Sequence, residues 1–344
     1  MMHILHYERN IIDTAPNKKE MQDFFDKHDA TRMLLSVLSD PKNTFIDEDL
    51  LFEYLEFGIS LLDGGNTNVQ KAMYNYCVVH PNTEAMFAKF HQIIYEQIEY
   101  LQKKREKSDA LKNIEYEQFH QSRSIIVEKL LRLLQLFTEG HYLELQNYLR
   151  HQTYSRNRYN LVEAVTELLK TYFQDLVLAN YENIVKCLDT LNEFVQGPCS
   201  ENQVALIDGK FFEVVLGLLT KEKTGPKTKQ TPRLSKANNM FKRANTNYVL
   251  SYSASSIDNP ALLNKPLEPW MRERLRYKVL ILVNSLLERS PSAVIKRIMR
   301  ALPVDILKKN ITRVYKRYKQ MYGNKYSMDC FKHVTWEVMS DSNL

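Results

Sequence analysis

The sequence has little of what most catalytic or secreted folds are built from. Its 344 residues include only 9 glycines and 11 prolines, mostly clustered, as in Asp63-Gly64-Gly65-Asn66, Gln196-Gly197-Pro198 and Thr224-Gly225-Pro226. Glycine and proline gathered into joints leave long unbroken segments between them, which favours helices over a sandwich of short strands. The four cysteines, Cys77, Cys187, Cys199 and Cys330, lie far apart and form no C-x-x-C pair, so they indicate reduced thiols and neither a zinc ribbon nor a disulfide framework. The longest apolar run, Val279-Leu280-Ile281-Leu282-Val283, is far short of the ~20 residues that span a bilayer. The start, Met1-Met2-His3-Ile4-Leu5-His6, lacks a basic region followed by an apolar one. The chain therefore reads as soluble and cytosolic. No P-loop, zincin, nucleophile-elbow or dinucleotide-binding pattern occurs, and no enzyme activity is expected.

Charge also excludes more than it specifies. The net charge of +6 comes from 47 basic residues interspersed with 41 acidic ones, which does not suit a nucleic-acid binder. Two local surpluses stand out. Lys221 to Arg243 holds eight Lys or Arg against Glu222, and Lys296 to Lys319 holds nine against Asp305. In the second, Ile298, Leu302, Ile306, Leu307, Ile311, Val314 and Tyr315 are interleaved with the basic residues. A basic amphipathic helix of this kind suits calmodulin or an anionic lipid surface, and more often packs its apolar stripe within its own fold.

What is abundant is helical periodicity: 44% of residues are hydrophobic, and they recur three and four apart, as in Met33, Leu34, Val37, Leu38 and in Ile125, Ile126, Leu130, Leu133, Leu134, Phe137. The pattern predicts helices at about 18–28, 30–39, 47–62, 67–79, 83–107, 112–138, 142–150, 158–178, 181–195, 200–207, 210–221, 268–289, 291–300, 304–321 and 327–339. Gly64, Gly140 and Gly197 each end an apolar helix, and each is followed six residues later by a glutamine, Gln70, Gln146 and Gln203. A glycine that stops one helix and a short joint that folds the next one back are the corners of stacked helical hairpins. The expected fold is all-α, an armadillo/HEAT-like α-solenoid of stacked antiparallel helix pairs. Residues 1–221 form its N-terminal part, 222–266 an exposed, disordered basic insertion, and 267–344 its C-terminal helical part. Within the insertion, Thr231-Pro232 and Ser235 lie in a basic context that suits phosphorylation. The acidic group Asp47-Glu48-Asp49 is read as the first turn of a helix, because an EF-hand loop would require glycine where Phe52 stands.

The corners are specific beyond their periodicity. Ile59-Ser60-Leu61-Leu62-Asp63-Gly64-Gly65-Asn66-Thr67-Asn68-Val69-Gln70 is followed by Leu133-Leu134-Gln135-Leu136-Phe137-Thr138-Glu139-Gly140-His141, leading into Leu145-Gln146-Asn147-Tyr148-Leu149-Arg150. Then comes Leu191-Asn192-Glu193-Phe194-Val195-Gln196-Gly197-Pro198-Cys199-Ser200-Glu201-Asn202-Gln203. In this order the motifs resemble the homology-associated region shared by inositol trisphosphate receptors and ryanodine receptors, and the ending Gly-Pro-Cys-x-Glu-Asn-Gln is closer to the inositol trisphosphate receptor branch. Ala301 to Leu307 with Val314-Tyr315 is similar to a later segment of the family, whereas the insertion and the residues after about 320 match nothing in it.

The resemblance implies a cytosolic coupling module on the cytoplasmic face of a tetrameric calcium-release channel of the endoplasmic reticulum, with the pore-bearing part as partner. It also implies a regulatory Ca²⁺ site in which Glu139 and Glu193 are ligands, joined by a backbone carbonyl from elsewhere in the channel, with His141 and Gln196 in the neighbouring shell. Ca²⁺ takes six to eight oxygens and two carboxylates supply at most four, so weak binding is expected of the isolated chain. A free-standing solenoid scaffold without channel activity is the alternative.

Overall fold

Asparagine and aspartate side chains open several helices of this chain. Asn17, Asp47, Asn66 and Asn160 each accept a hydrogen bond from a backbone N–H in the following turn, satisfying a donor that has no partner within the helix. A computed structural model describes residues 2–43, 47–106, 114–153, 155–208, 211–220 and 265–322. These fold into α1 (Met2–Thr14), α2 (Lys18–Lys27), α3 (Ala30–Leu38), α4 (Glu48–Leu62), α5 (Thr67–Val79), α6 (Thr83–Glu106), α7 (Ile114–Thr138), α8 (Leu143–Arg150), α9 (Leu161–Gln174), α10 (Tyr181–Val195), α11 (Ser200–Asp208), α12 (Phe211–Thr220), α13 (Pro269–Leu287), α14 (Ser292–Ala301) and α15 (Val304–Tyr322). There is no strand among the described residues, only an isolated bridge between Val177 and Pro266.

The helices form an α-solenoid of the expected armadillo-like kind, in which a short middle helix extends each hairpin into a unit of three. The first helices of the units, α1, α4, α7, α10 and α13, pack one on the next. The third helices, α3, α6, α9, α12 and α15, and the short middle ones, α2, α5, α8, α11 and α14, form parallel stacks of their own. Position in the stack determines what a helix needs. The inner first helix α7 lies between α4 and α10 and also touches α6, and it buries Leu130, Leu131, Leu133, Leu134, Leu136 and Phe137 on nearly all sides.

Glutamine side chains tie each unit to the next. Gln22 Nε2 donates to Ser60 O at 2.8 Å and Asp63 O at 3.0 Å. Gln70 Nε2 donates to Leu136 O at 2.9 Å and Glu139 O at 2.8 Å. Gln146 Nε2 reaches Glu193 O at 2.7 Å and Gln196 O at 2.9 Å, and Gln203 Nε2 reaches Ser285 O at 3.0 Å and Glu288 O at 3.2 Å. The amide of a middle helix thus closes the C-terminal end of the following unit's first helix, where carbonyls lack intrahelical partners. All four glutamines are buried. Three of the ties belong to the glycine-to-glutamine spacing. Gln22 has Pro16 six residues before it in place of glycine, and the carbonyls that Gln203 closes precede Arg289, which adopts a positive φ of 49° without being glycine.

Other departures from the expected helices have local causes. The helix α1 is absent from the periodicity reading because only Leu5 and Ile12 of it are buried. It is held by α4 through Arg9, which pairs with Glu53 at 3.3 Å and Glu56 at 3.2 Å, and through Asp13, which accepts from Ser60 Oγ. The helix expected at 158–178 is shorter, since Asn160 caps it and the chain leaves it after Gln174. At the far side of the expected insertion, Leu178 N donates to Lys265 O at 2.9 Å. The basic stretch 296–319 is not one helix. Pro303 separates α14 from α15, and Ile298, Leu302, Leu307, Ile311 and Val314 are buried against the stack, so the apolar stripe that calmodulin would grip is already used. Asp47 caps α4 with Glu48 and Asp49 in its first turn, as read. The remaining insertion with Thr231 and Ser235, the helix expected at 327–339, and Cys330 lie outside the described residues.

Two stability measurements check this account. Replacing Gln146 with Met leaves two carbonyls without their donor and is expected to cost about 3 kcal/mol in urea denaturation. Gly64 and Gly197 have φ of 83° and 85°, but a Cβ at Gly64 meets nothing within 4 Å, whereas one at Gly197 falls 2.4 Å from His141 Cβ. Gly64→Ala should therefore cost about 1 kcal/mol, for the left-handed conformation alone, and Gly197→Ala about 3 kcal/mol.

Candidate functional site

The first-helix ends that the glutamines close also carry a row of charged side chains. Lys18 pairs with Asp13 at 3.0 Å and with Asp63 at 2.8 Å. Arg132 reaches Asp63 at 3.0 Å and Glu139 at 3.3 Å. Along this edge the signs alternate: Asp13, Lys18, Asp63, Arg132, Glu139. Burial alone would raise the carboxyl of Asp63, but Lys18 and Arg132 hold it below its ordinary value.

The alternation stops after Glu139. On the next first helix stands Glu193, another carboxylate, and the side chains that act on it are Gln196, Glu139, Asp189 and Asn192, with no cation among them. Burial is the largest cause that pushes Glu193 up to about 7, and the charges of Glu139 and Asp189 add to it. Asp189 is engaged by Lys278 at 2.5 Å. The backbones of both glutamates are fixed, since Glu139 O accepts from Gln70 and Glu193 O from Gln146.

The two residues expected beside these carboxylates play different parts. Gln196 donates through Nε2 to Glu193 Oε2 and accepts at Oε1 from Asn192 Nδ2 at 2.9 Å, while Asn192 Oδ1 accepts from Ser285 Oγ at 2.8 Å. A relay of neutral groups thus runs from α13 to the Glu193 carboxylate. His141 has a positive φ of 67° and lies against Gly197, so the corner after Glu139 touches the corner after Glu193. The sequence reading passed over Arg132, Asp63, Asn192 and Ser285. Asp63 and Asn192 stand inside the quoted motifs, but nothing in their spacing shows which side chains share an edge.

As a metal centre this edge is half built. Two carboxylates are hard oxygen donors suited to Ca²⁺. No group of three or more His, Cys, Asp or Glu that could hold a metal ion occurs among the described residues, so a further carboxylate would have to come from outside them. The other candidate chemistry is quiet. Cys77, Cys187 and Cys199 are buried free thiols, and burial pushes Cys77 up to about 12, far from the thiolate form.

The Glu193 carboxyl should sense the charge of Glu139 in titration. The raised Glu193 carboxyl holds its proton in the fold after the unfolded chain has released it. Its contribution to stability is therefore full below the ordinary value of 4.5 and is lost as pH rises through about 7. Glu193→Gln is expected to flatten the fall in thermal stability across that window. Glu139→Gln should lower the titration midpoint of Glu193 itself, read by carboxyl-carbon NMR.

Comparison with known proteins bears on the same residues. The family described as RyR and IP3R Homology associated matches residues 121–219, which contain both glutamate corners, while the Ile59–Gln70 motif lies before the match. The inositol 1,4,5-trisphosphate receptor itr-1 of Caenorhabditis elegans is 31% identical over 157 residues, covering 42% of this chain and 5% of the receptor. The chain thus spans about one twentieth of that relative's length. No helix among the described residues is long and apolar enough to cross a membrane. The segment that carries Glu139 and Glu193 thus matches the homology-associated region described for ryanodine and inositol trisphosphate receptors, and the listed relative it is similar to is an inositol trisphosphate receptor.

Proposed function

We propose that this chain is a cytosolic coupling module of an intracellular calcium-release channel, and that Glu139 and Glu193 form its half of an interfacial Ca²⁺ site. The observation that carries this reading is the break in the charged edge. Arg132 pairs with Asp63 and Glu139, but among the described residues no cation pairs with Glu193, which feels the charge of Glu139. A divalent cation continues the alternation there. It supplies a positive charge beside Glu193 and relieves the repulsion from Glu139 that adds to burial in raising the Glu193 carboxyl.

The remaining ligands belong to a partner, the pore-bearing part of the channel, which places the module on the cytoplasmic face of the endoplasmic reticulum within a tetramer. Ca²⁺ binds best when module and partner are seated together, so the ion favours one arrangement of the assembly over another by its differential affinity. The stack suits transmission. A displacement at the Glu139–Glu193 corner is passed along helices whose ends are tied unit to unit by buried glutamines, with little slack for local adjustment. Gln196 steers the Glu193 carboxylate and Gly197 lets the His141 corner approach it; neither needs to touch the ion.

Calorimetric titration of the chain tests the reading. Ca²⁺ should bind with a dissociation constant no tighter than about 10⁻⁴ M, as for ligand-poor sites, and the heat should vanish in the Glu139→Gln/Glu193→Gln variant. Submicromolar binding that survives both substitutions would place the ion elsewhere and end the proposal.

A further inference from the structure

The fifth unit carries a cleft that the glutamate edge does not involve. It has a volume of about 580 Å³ and lies between the start of α13, at Pro269 and Glu273, and the side of α15 that bears Lys308, Lys309, Thr312, Arg313 and Lys316. The volume falls within the range of small-molecule sites. Its lining is basic, whereas several cations elsewhere in the stack are matched by acids. Arg123 is matched by Glu48 and Glu96, Lys278 by Asp189 and Arg297 by Asp208.

In the cleft the one acidic wall residue is already shared. Glu273 Oε1 accepts from Arg276 at 2.8 Å and from Arg313 at 2.9 Å. Lys308, Lys309 and Lys316 are exposed and have no ion pair among the described residues. Lys308, Thr312 and Lys316 follow one another at four-residue spacing on one face of α15, while Lys309–Arg313 and Arg313–Lys316 are like-charge neighbours of the kind that weakens a helix. Their opposite face supplies the packing: Leu307, Ile311 and Val314 are buried, and Asn310 is tied to Leu219 O at 3.1 Å. The lysines therefore contribute nothing visible to the stack. The N-terminus of α13, whose N-cap residue Glu268 makes no side-chain cap, adds the positive end of a helix dipole at the rim.

We infer that this cleft binds a phosphate-rich anion of small-molecule size, held by Lys308, Lys309 and Lys316 with Thr312 as a hydroxyl donor. A soluble anion suits the site better than a membrane, since Leu307, Ile311 and Val314 of α15 face the stack. The inference is independent of the Ca²⁺ reading.

Tripolyphosphate is the probe. Calorimetry on the chain should show binding at one site that weakens as salt is raised. Lys308→Gln/Lys316→Gln should reduce affinity about tenfold or more, and Lys309→Gln should reduce it by several fold. The same charge removed outside the cleft, in Lys296→Gln/Arg300→Gln, should change it less than about threefold. Circular dichroism confirms that each variant folds, as expected for exposed side chains. Vesicles carrying phosphorylated inositol lipids separate the two sources of phosphate: binding that tripolyphosphate displaces assigns the anion to a headgroup in the same cleft. Equal losses in the cleft and control variants, or vesicle binding indifferent to Lys308→Gln/Lys316→Gln, would overturn the inference.

Discussion

A buried side-chain amide that donates both of its hydrogens across a repeat boundary is the interaction on which this stack depends. The end of a helix leaves carbonyls that must find donors, and in a solenoid the first-helix ends face the neighbouring unit as well as solvent. A glutamine on the middle helix meets two of them at once, as Gln70 does at Leu136 and Glu139. Because an unmet carbonyl in a buried setting is costly, the ties fix the register between units in a way that apolar packing alone, which tolerates sliding, does not.

That register is what creates the candidate site. Glu139 and Glu193 are far apart in sequence and belong to different units, yet each has its own carbonyl held by a glutamine of the preceding unit. The ties bring the ends of successive first helices to a common edge, where charge can alternate from unit to unit. Structural and functional demands meet in the same few residues. The left-handed glycine at 197 ends α10 and also opens the space into which His141 packs.

The edge and the cleft solve opposite electrostatic problems. At the edge, cations and carboxylates alternate until one cation is missing. In the cleft, cations accumulate around a single shared carboxylate, Glu273. Such local imbalance costs stability, which a charge from outside the chain would offset, as both proposals require.

Much of this was legible in the residues themselves. Periodicity located the middle of the chain's helices, because burial on a helix face imposes a spacing of three and four whatever the neighbours are. The glycine-to-glutamine recurrence marked three equivalent corners, since only a local turn and a buried amide were needed to write it. The motifs around those corners carried the family resemblance and, through it, Glu139 and Glu193. Tertiary structure alone decided the rest. The helix α1 depends on α4 and not on its own amphipathicity. Gln22 and Arg289 join the ladder without its glycine signature, because a corner's backbone geometry can be reached by other residues when the neighbouring unit holds it. Which charges share an edge, with Arg132 beside Glu139 and, among the described residues, no cation paired with Glu193, follows from the stacking of units and has no spacing in the sequence to announce it.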